Sequence, residues 1–108
     1  MVSIDQFASI ELRVGRIISV DDLDTKKPMY KLEVDLGILG KRNIAAGIKA
    51  YYTKDELINK DIIVVANLEP KSIGSIFVSE GMVLATEDEN GVSLITPERK
   101  MLPGSIVR

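Results

Sequence analysis

The segment Met29-Tyr30-Lys31-Leu32-Glu33-Val34-Asp35-Leu36 carries the clearest secondary-structure signal in the chain. Apolar and polar residues alternate along it, so that one face holds the even-numbered residues and the other holds Met29 and three charged residues. This period of two is typical of a half-buried β-strand. The segment therefore predicts a strand whose even-numbered side chains lie in the core of a β-sheet protein.

A long strand is predicted before this segment, over residues 12–20 (LRVGRIISV). Gly15 stands in its middle, where a glycine is typical of a bulge or a sharp bend. Such a bulge would shift the alternation of side chains and bring Arg13 and Arg16 to the same face. A third strand is predicted after a glycine-rich turn, over residues 41–48, where Ile44, Ala46 and Ile48 share one face.

Capping and turn signals predict the remaining elements. Two capping boxes, Ser3 with Gln6 and Thr53 with Glu56, begin short helices over residues 4–8 and 54–59. The pair Asn90-Gly91 predicts a hairpin. The other predicted elements are a buried strand at 61–67, a long connection at 68–80, the two hairpin strands at 81–87 and 92–96, and a short final strand at 106–107.

This order of elements predicts an all-β fold, an OB-fold barrel of five strands. A short helix lies between the third and fourth strands, and a β extension follows the fifth. An SH3-like barrel or another small β-barrel is the alternative. With 108 residues, the chain is long enough for one domain, residues 1–108, and too short for two.

Composition excludes several kinds of chemistry. The chain has no Cys and no His, which removes disulfides, cysteine zinc sites, thiol nucleophiles and the Ser-His-Asp triad. We expect no metal and no cofactor. The longest apolar run, residues 62–66, is too short for the roughly 20 residues of a membrane span, and no signal peptide is visible at the N-terminus. We therefore expect no membrane partner and a cytoplasmic location.

Charge is distributed unevenly along the chain. The net charge is −2, but residues 1–54 hold nine basic and seven acidic residues, and residues 55–108 hold five basic and nine acidic ones. A mildly basic half can still form a local binding surface for an anionic partner. The alternative is that this difference in charge between the two halves arises by chance, because the numbers of charged residues are small.

A series of short motifs runs through most of the chain. They are LRVGRI at 12–17, KLEVDLG at 31–37, RNIAAGI at 42–48, YTKDEL at 52–57, VVANLEPK at 64–71, SEGMVLA at 79–85, LITP at 94–97 and PGS at 103–105. Together they resemble the tRNA-binding domain family, which includes free-standing tRNA-binding proteins and the C-terminal domain or separate beta subunit of methionyl-tRNA synthetases. The resemblance implies a non-catalytic protein that binds tRNA and acts in trans with an aminoacyl-tRNA synthetase.

Two segments depart from the usual pattern of that family. Residues 27–32, Lys-Pro-Met-Tyr-Lys-Leu, are similar instead to the CsaA-type export chaperones, which share the fold. Residues 72–78, after Pro70-Lys71, contain no basic residue. A peptide-binding export chaperone is therefore the alternative function, with Met29, Ile76 and Phe77 as candidates for an apolar groove. An enzyme would need paired carboxylates or an activated lysine, and we expect none.

The candidate tRNA-binding residues are mostly basic. Arg13 and Arg16 could bind phosphates through their planar guanidinium groups, or could instead pair with Glu33 or Asp35 across the sheet. Further candidates are a lysine cluster that nearby aspartates could neutralise, a basic pair beside the glycine-rich turn, and the residues that the resemblance adds. These are Lys26, Lys27 and Lys31; Lys41 and Arg42; and, from the resemblance, Asn67, Lys71, Ser79, Glu80 and Met82.

The chain has five aromatic residues, which are few for a surface that stacks many bases. This favours recognition of folded RNA by its shape and its phosphates. The C-terminal segment also predicts a homodimer. Residues 92–96 and 105–107 are strand-forming, a five-stranded barrel does not need them, and the resemblance implies a dimer for free-standing members. We expect residues 88–108 to form the dimer interface, the alternative being that they fold back over their own barrel.

Overall fold

The computed structural model of the chain describes all residues, 1–108. In chain order the elements are α1 (Ile4–Ala8), β1 (Leu12–Leu23), β2 (Met29–Asp35), a 3-10 turn (Gly37–Leu39), β3 (Lys41–Ala46), α2 (Lys54–Leu57), β4 (Asp61–Val65), β5 (Lys71–Ile73), β6 (Phe77–Ser79), β7 (Met82–Val83), β8 (Ala85–Asp88), β9 (Gly91–Leu94) and β10 (Ile106–Val107). Neither helix is long and apolar enough to cross a membrane.

Five of these strands form a strongly curled antiparallel sheet in the order β3-β2-β1-β4-β7. The two ends of the sheet meet where the backbone N–H of Glu80, just before β7, donates to the carbonyl of Asn43 on β3 at 2.9 Å. The result is an all-β, barrel-like fold consistent with an OB-fold, with α2 between β3 and β4. The predicted fold class is confirmed.

The alternation along β2 organises the core. Tyr30, Leu32, Val34 and Leu36 are buried, as predicted. They pack with buried residues of the other barrel strands, of the segment after β3 and of α2, namely Ile17, Ile44, Ala46, Ile48, Leu57, Ile62 and Val64. Both predicted capping boxes are present, at the start of α1 and of α2. Local patterns therefore predicted the inner face of the barrel correctly.

The predicted bulge at Gly15 is wrong in its position. The pairing of β1 with β4 runs unbroken through Gly15, and the extra residue is Ile18, between the pairs Ile17–Val34 and Ser19–Glu33. Gly15 serves close packing instead, because a Cβ atom there would lie only 2.5 Å from Cγ1 of Val34. The glycine lets β1 pass directly against the core residues of β2.

The region after β4 also differs from prediction. The long connection at 68–80 contains the hairpin β5–β6, which turns through Gly74 at a φ of +61°. The single strand predicted at 81–87 is divided into β7, which completes the barrel, and β8, which pairs with β9. The predicted hairpin is confirmed, but its turn lies one residue earlier than predicted, at Glu89 and Asn90, because Asp88 pairs with Gly91.

The last part of the chain lies along its own barrel. β10 pairs with the start of β1, and the backbone N–H of Gly104 donates to the carbonyl of Val14 at 2.7 Å. Backbones cross so closely here that a Cβ atom on Gly104 would lie 2.4 Å from the carbonyl oxygen of Leu36. The end of this segment thus packs on its own barrel, while β8 and β9 form a small separate sheet. The dimer interface predicted over residues 88–108 stays a prediction.

Candidate functional site

A groove runs over the outer face of β2 and β3, opposite the core. It consists of three adjoining hollows. The first, about 460 Å³, lies between the β1–β2 loop (24–27) and the turn of the β5–β6 hairpin (73–76). The second, about 500 Å³, shares Met29 and Ile73 with the first and extends over Ala45 to Met82. The third, about 490 Å³, shares Leu68 and Glu69 with the second and ends at Arg42. We call the three together the groove.

The groove brings together most of the predicted site residues, although they come from distant parts of the sequence. Eight of them line it, namely Lys26, Lys27, Arg42, Asn67, Lys71, Ser79, Glu80 and Met82. Lys31 lies beside it, because it is the partner of Ala45 across β2 and β3. Arg13, Arg16 and Lys41 do not line it.

The lysines of the groove are free of internal ion pairs. Every salt bridge in the structure involves other cations, namely Arg13, Arg16, Lys49 and Lys54. Asp22 is one of the three aspartates, with Asp21 and Asp24, that could have neutralised the lysine cluster, and it pairs instead with Lys49 at 2.9 Å and Lys54 at 3.1 Å. Hydrogen bonds from these two lysines lower the pKa of Asp22. Lys26, Lys27, Lys31 and Lys71 are thus available to an anionic ligand.

The floor of the groove is apolar. Met29, Ile73, Leu68 and Met82 line it, and Ile76 stands at its edge with 57% of its surface exposed. Met29 and Ile76 were predicted only for the chaperone alternative, and Ile73 and Leu68 were missed. No sequence signal could find them, because their exposure depends on where the β5–β6 hairpin lies relative to the sheet.

Ser79 and Glu80 have structural partners at the edge of the groove. The hydroxyl of Ser79 accepts from the backbone N–H of Ala45 at 2.9 Å and donates to the carbonyl of Gly81 at 3.1 Å. A carboxylate oxygen of Glu80 accepts from the backbone N–H of Asn43 at 3.1 Å. Both side chains join the segment before β7 to β3 and so close the barrel beside the groove.

Asn67 and Arg42 also hold the backbone around the groove. The amide oxygen of Asn67 accepts from the backbone N–H of Glu11 at 2.8 Å, and its amide nitrogen donates to the carbonyl of Ser9 at 2.7 Å. The guanidinium of Arg42 donates to the carbonyls of Ala66 and Glu80. These contacts fix the end of β4, from which the chain leads to Lys71.

Arg13 and Arg16 fasten the C-terminal segment to β1. Arg13 pairs with Glu11 at 2.7 Å and donates to the carbonyl of Gly104 at 2.9 Å. Arg16 pairs with Asp61 at 2.9 Å and donates to the carbonyl of Met101 at 3.1 Å.

The hydrogen bond to Asp61 raises the pKa of Arg16. Neither expected partner, Glu33 or Asp35, forms an ion pair with either arginine. Phosphate binding by these two arginines stays a prediction. Lys41 is exposed at the start of β3, opposite Asp35.

Three comparisons with known proteins bear on this site. Residues 12–106 match the family model described as "Putative tRNA binding domain". The chain is 43% identical over 107 residues to the methionine–tRNA ligase of Pyrococcus horikoshii, and 43% identical over 108 residues to that of Methanocaldococcus jannaschii. Both matches cover 99% of this chain, which spans only 14% and 16% of those two relatives.

Solved structures resemble the whole chain. The CsaA chaperone protein from Picrophilus torridus has a TM-score of 0.93 and 43% identity, with all of both chains covered. The MetRS-related protein from Pyrococcus horikoshii has a TM-score of 0.89 and 31% identity, covering 100% of this chain and 98% of that one.

Proposed function

The chain belongs to the tRNA-binding domain family, and on this premise we propose that it is a non-catalytic module that binds tRNA in the groove. The observation that carries the proposal is the convergence of Lys26, Lys27 and Lys71, none of them in an ion pair, on one surface. Phosphate contacts dominate the affinity of proteins for nucleic acid, and they need cations that are not already neutralised. The groove supplies these cations in a protein whose net charge is only −2.

We propose that the chain acts in trans, as a separate subunit that binds a methionyl-tRNA synthetase. The relatives named methionine–tRNA ligase are several times longer than this chain and contain a segment like it. A module that holds tRNA near an enzyme raises the local concentration of the substrate. Its addition to a synthetase without such a segment should lower KM for tRNA and leave kcat unchanged. We place this role in the cytoplasm, where tRNA is aminoacylated.

A second candidate function is binding of unfolded polypeptide. The observation that favours it is the apolar floor of Met29, Ile73 and Met82, which resembles the surface a chaperone would offer to apolar side chains. The likeness to the CsaA chaperone protein of Picrophilus torridus over all of both chains supports the same candidate.

We also propose that the protein is a homodimer. None of the residues of α1 is buried, and Ile4, Phe7, Ile10 and Ile106 are 78%, 44%, 46% and 65% exposed beside one hollow of about 430 Å³. We call these four residues the α1 face. An apolar surface of this kind needs cover, and a two-fold axis would cover it with the same surface of a second copy. Ile106 belongs to the predicted C-terminal interface, whereas the sequence predicted α1 only as a helix and not as part of an interface.

Titration of the protein against bulk tRNA and against an unfolded polypeptide, in parallel, tests the main proposal. We expect saturable binding of tRNA that weakens steeply with salt. The charge-reversed variant Lys26→Glu/Lys27→Glu should lose most of this binding, whereas Arg99→Glu/Lys100→Glu, exposed and outside the groove, should retain it. Binding of polypeptide alone would favour the second candidate function and contradict the first.

A further inference from the structure

We propose that the first hollow of the groove receives an unpaired nucleotide of the tRNA, and not the side of a helical stem. This inference rests on the proposed function and adds which part of the RNA the groove takes. The hollow has walls on two sides, the β1–β2 loop and the turn of the β5–β6 hairpin, and its volume of about 460 Å³ falls in the roughly 300–1,000 Å³ range of pockets that enclose small ligands.

The lining of the hollow does not suit a double helix. An RNA duplex is convex and presents phosphates and 2′-hydroxyls to a protein, and its bases are stacked inside. Met29, Ile73 and Ile76 in the hollow would lie against these polar groups, which would lose water without gaining hydrogen bonds. An unpaired base, in contrast, has an apolar aromatic face, and a methionine thioether packs well against such a face.

The rim of the hollow suits the phosphate of a nucleotide, just as the apolar lining suits its base. Lys26 and Lys27 lie on the loop wall, and neither is in an ion pair, so both can hold the phosphate next to the base. Asp24 lies on the same wall and would repel a phosphate placed beside it, which favours the Lys26–Lys27 side. The Thr25 hydroxyl donates to the carbonyl of Lys27 in its own loop and so holds the wall in shape.

The number of bases held in this way is small. No aromatic side chain lines any part of the groove, so the groove does not provide the stacked platform that a long single strand uses. One or two unpaired nucleotides in a folded RNA, from a loop or from the 3′ end, match the size and the chemistry of the hollow.

Competition against labelled tRNA tests the inference. The two competitors are a blunt RNA duplex and a duplex with the same number of phosphates that ends in an unpaired 3′ extension. We expect the extended duplex to compete about tenfold better, because only it supplies free bases that can pack against Met29, Ile73 and Ile76. Equal competition by the two duplexes would overturn the inference while leaving the binding of tRNA, and the proposed function, intact. Absence of any tRNA binding would overturn both.

A pair of isoleucine variants ties the preference to the hollow. Ile76→Ser removes an exposed apolar residue of the hollow, and Ile38→Ser removes one that is 92% exposed and outside the groove. We expect Ile76→Ser to abolish the preference for the extended duplex without changing the salt dependence, and Ile38→Ser to retain both. Unchanged preference in Ile76→Ser would contradict the placement. Displacement of tRNA by an unfolded polypeptide, but by neither duplex, would assign the hollow to peptides.

Discussion

The hydroxyl of Ser79 accepts a hydrogen bond from the backbone N–H of Ala45, 2.9 Å away, where the two ends of the barrel sheet meet. Ser79 is only 6% exposed and is the one buried polar residue of the chain. The family resemblance made Ser79 a candidate tRNA-binding residue, yet its hydrogen bonds are internal. The start of the SEGMVLA motif thus closes the barrel and shapes one edge of the groove.

The variant Ser79→Ala should therefore be unstable. It leaves the N–H of Ala45 and the carbonyl of Gly81 without their partner in a buried place, which costs about 1–3 kcal/mol of unfolding free energy. Urea denaturation measures this loss. The matched control is Ser72→Ala, on the exposed strand β5 of the neighbouring hairpin, which should change stability by less than about 0.5 kcal/mol. Equal stability of the two variants would contradict a structural role for Ser79.

The lysines of the groove should determine the salt dependence of tRNA binding. Each phosphate contact contributes about 0.7–0.9 to the slope of log affinity against log salt. The neutral variant Lys26→Gln/Lys27→Gln should lower the slope by up to about twice that amount, and Arg99→Gln/Lys100→Gln should leave it unchanged. Filter binding at several salt concentrations gives the slopes. If the control pair lowers the slope more, the binding surface lies near the C-terminal segment.

The same measurement separates two roles for Arg16. If it binds phosphate, as the sequence predicted, Arg16→Gln lowers the slope. Its bonds to Asp61 and to the carbonyl of Met101 favour the other outcome, a lower urea midpoint with an unchanged slope. We expect the second result, because these contacts are internal and join β1 to the C-terminal segment.

A charge on the α1 face should separate the proposed homodimer. Phe7→Glu would place an unpaired carboxylate between two apolar surfaces, so we expect a mass near 11.9 kDa for the variant and about twice that for the parent chain at micromolar concentration. Light scattering or sedimentation measures both. Ile38→Glu, outside this face, is the control and should stay dimeric. A parent chain of 11.9 kDa would contradict the dimer itself.

Acid should destabilise the protein in part through Glu56. The backbone N–H of Thr53 donates to its carboxylate at 2.8 Å, which lowers the pKa of Glu56. Because the pKa of Glu56 is lower in the folded state, its ionised carboxylate stabilises the fold at pH values above the pKa that Glu56 has in the unfolded chain. This stabilisation is lost as the pH falls through the pKa of Glu56 in the folded protein. Glu56→Gln can still accept the hydrogen bond but cannot titrate. Its urea midpoint should therefore fall less than that of the parent chain between about pH 6 and about pH 3.

An unchanged pH dependence in Glu56→Gln would mean that other carboxylates account for the acid sensitivity. Asp22, whose pKa is lowered by Lys49 and Lys54, is the next group to replace. Asp22→Asn should likewise reduce the loss of stability in acid, because it removes a group that must be ionised to hold the two lysines.

Local patterns predicted the elements well because their causes are local. The alternation in residues 29–36, the two capping boxes and the β8–β9 hairpin each involve neighbours within a few residues. The bulge was misplaced because pairing decides it. Whether the extra residue of β1 is Gly15 or Ile18 depends on the register against β2, which the sequence of β1 alone does not contain.

The site was predicted less completely for the same reason. Charge and family resemblance made Lys26, Lys27 and Lys71 candidates, but only the fold brings the β1–β2 loop opposite the hairpin turn at 73–76. The fold also brings Arg13 to the carbonyl of Gly104 and Arg16 to the carbonyl of Met101. Both contacts join residues that are far apart in the chain. The sequence shows which residues are basic, but it does not show which group each basic side chain contacts in the fold.

The pairing of β1 with β10 has a consequence for how the protein is made. On a ribosome, residues 12 and 13 are synthesised long before residues 106 and 107, with which they pair. Until then, one edge at the start of β1 has no partner strand. The barrel is also incomplete until β7 has been synthesised. Contacts between distant residues slow folding and leave strand edges open to wrong partners. The nascent chain therefore gains its complete sheet only after residues 106 and 107 have left the exit tunnel, so the strand that is made first is among the last to be fully paired.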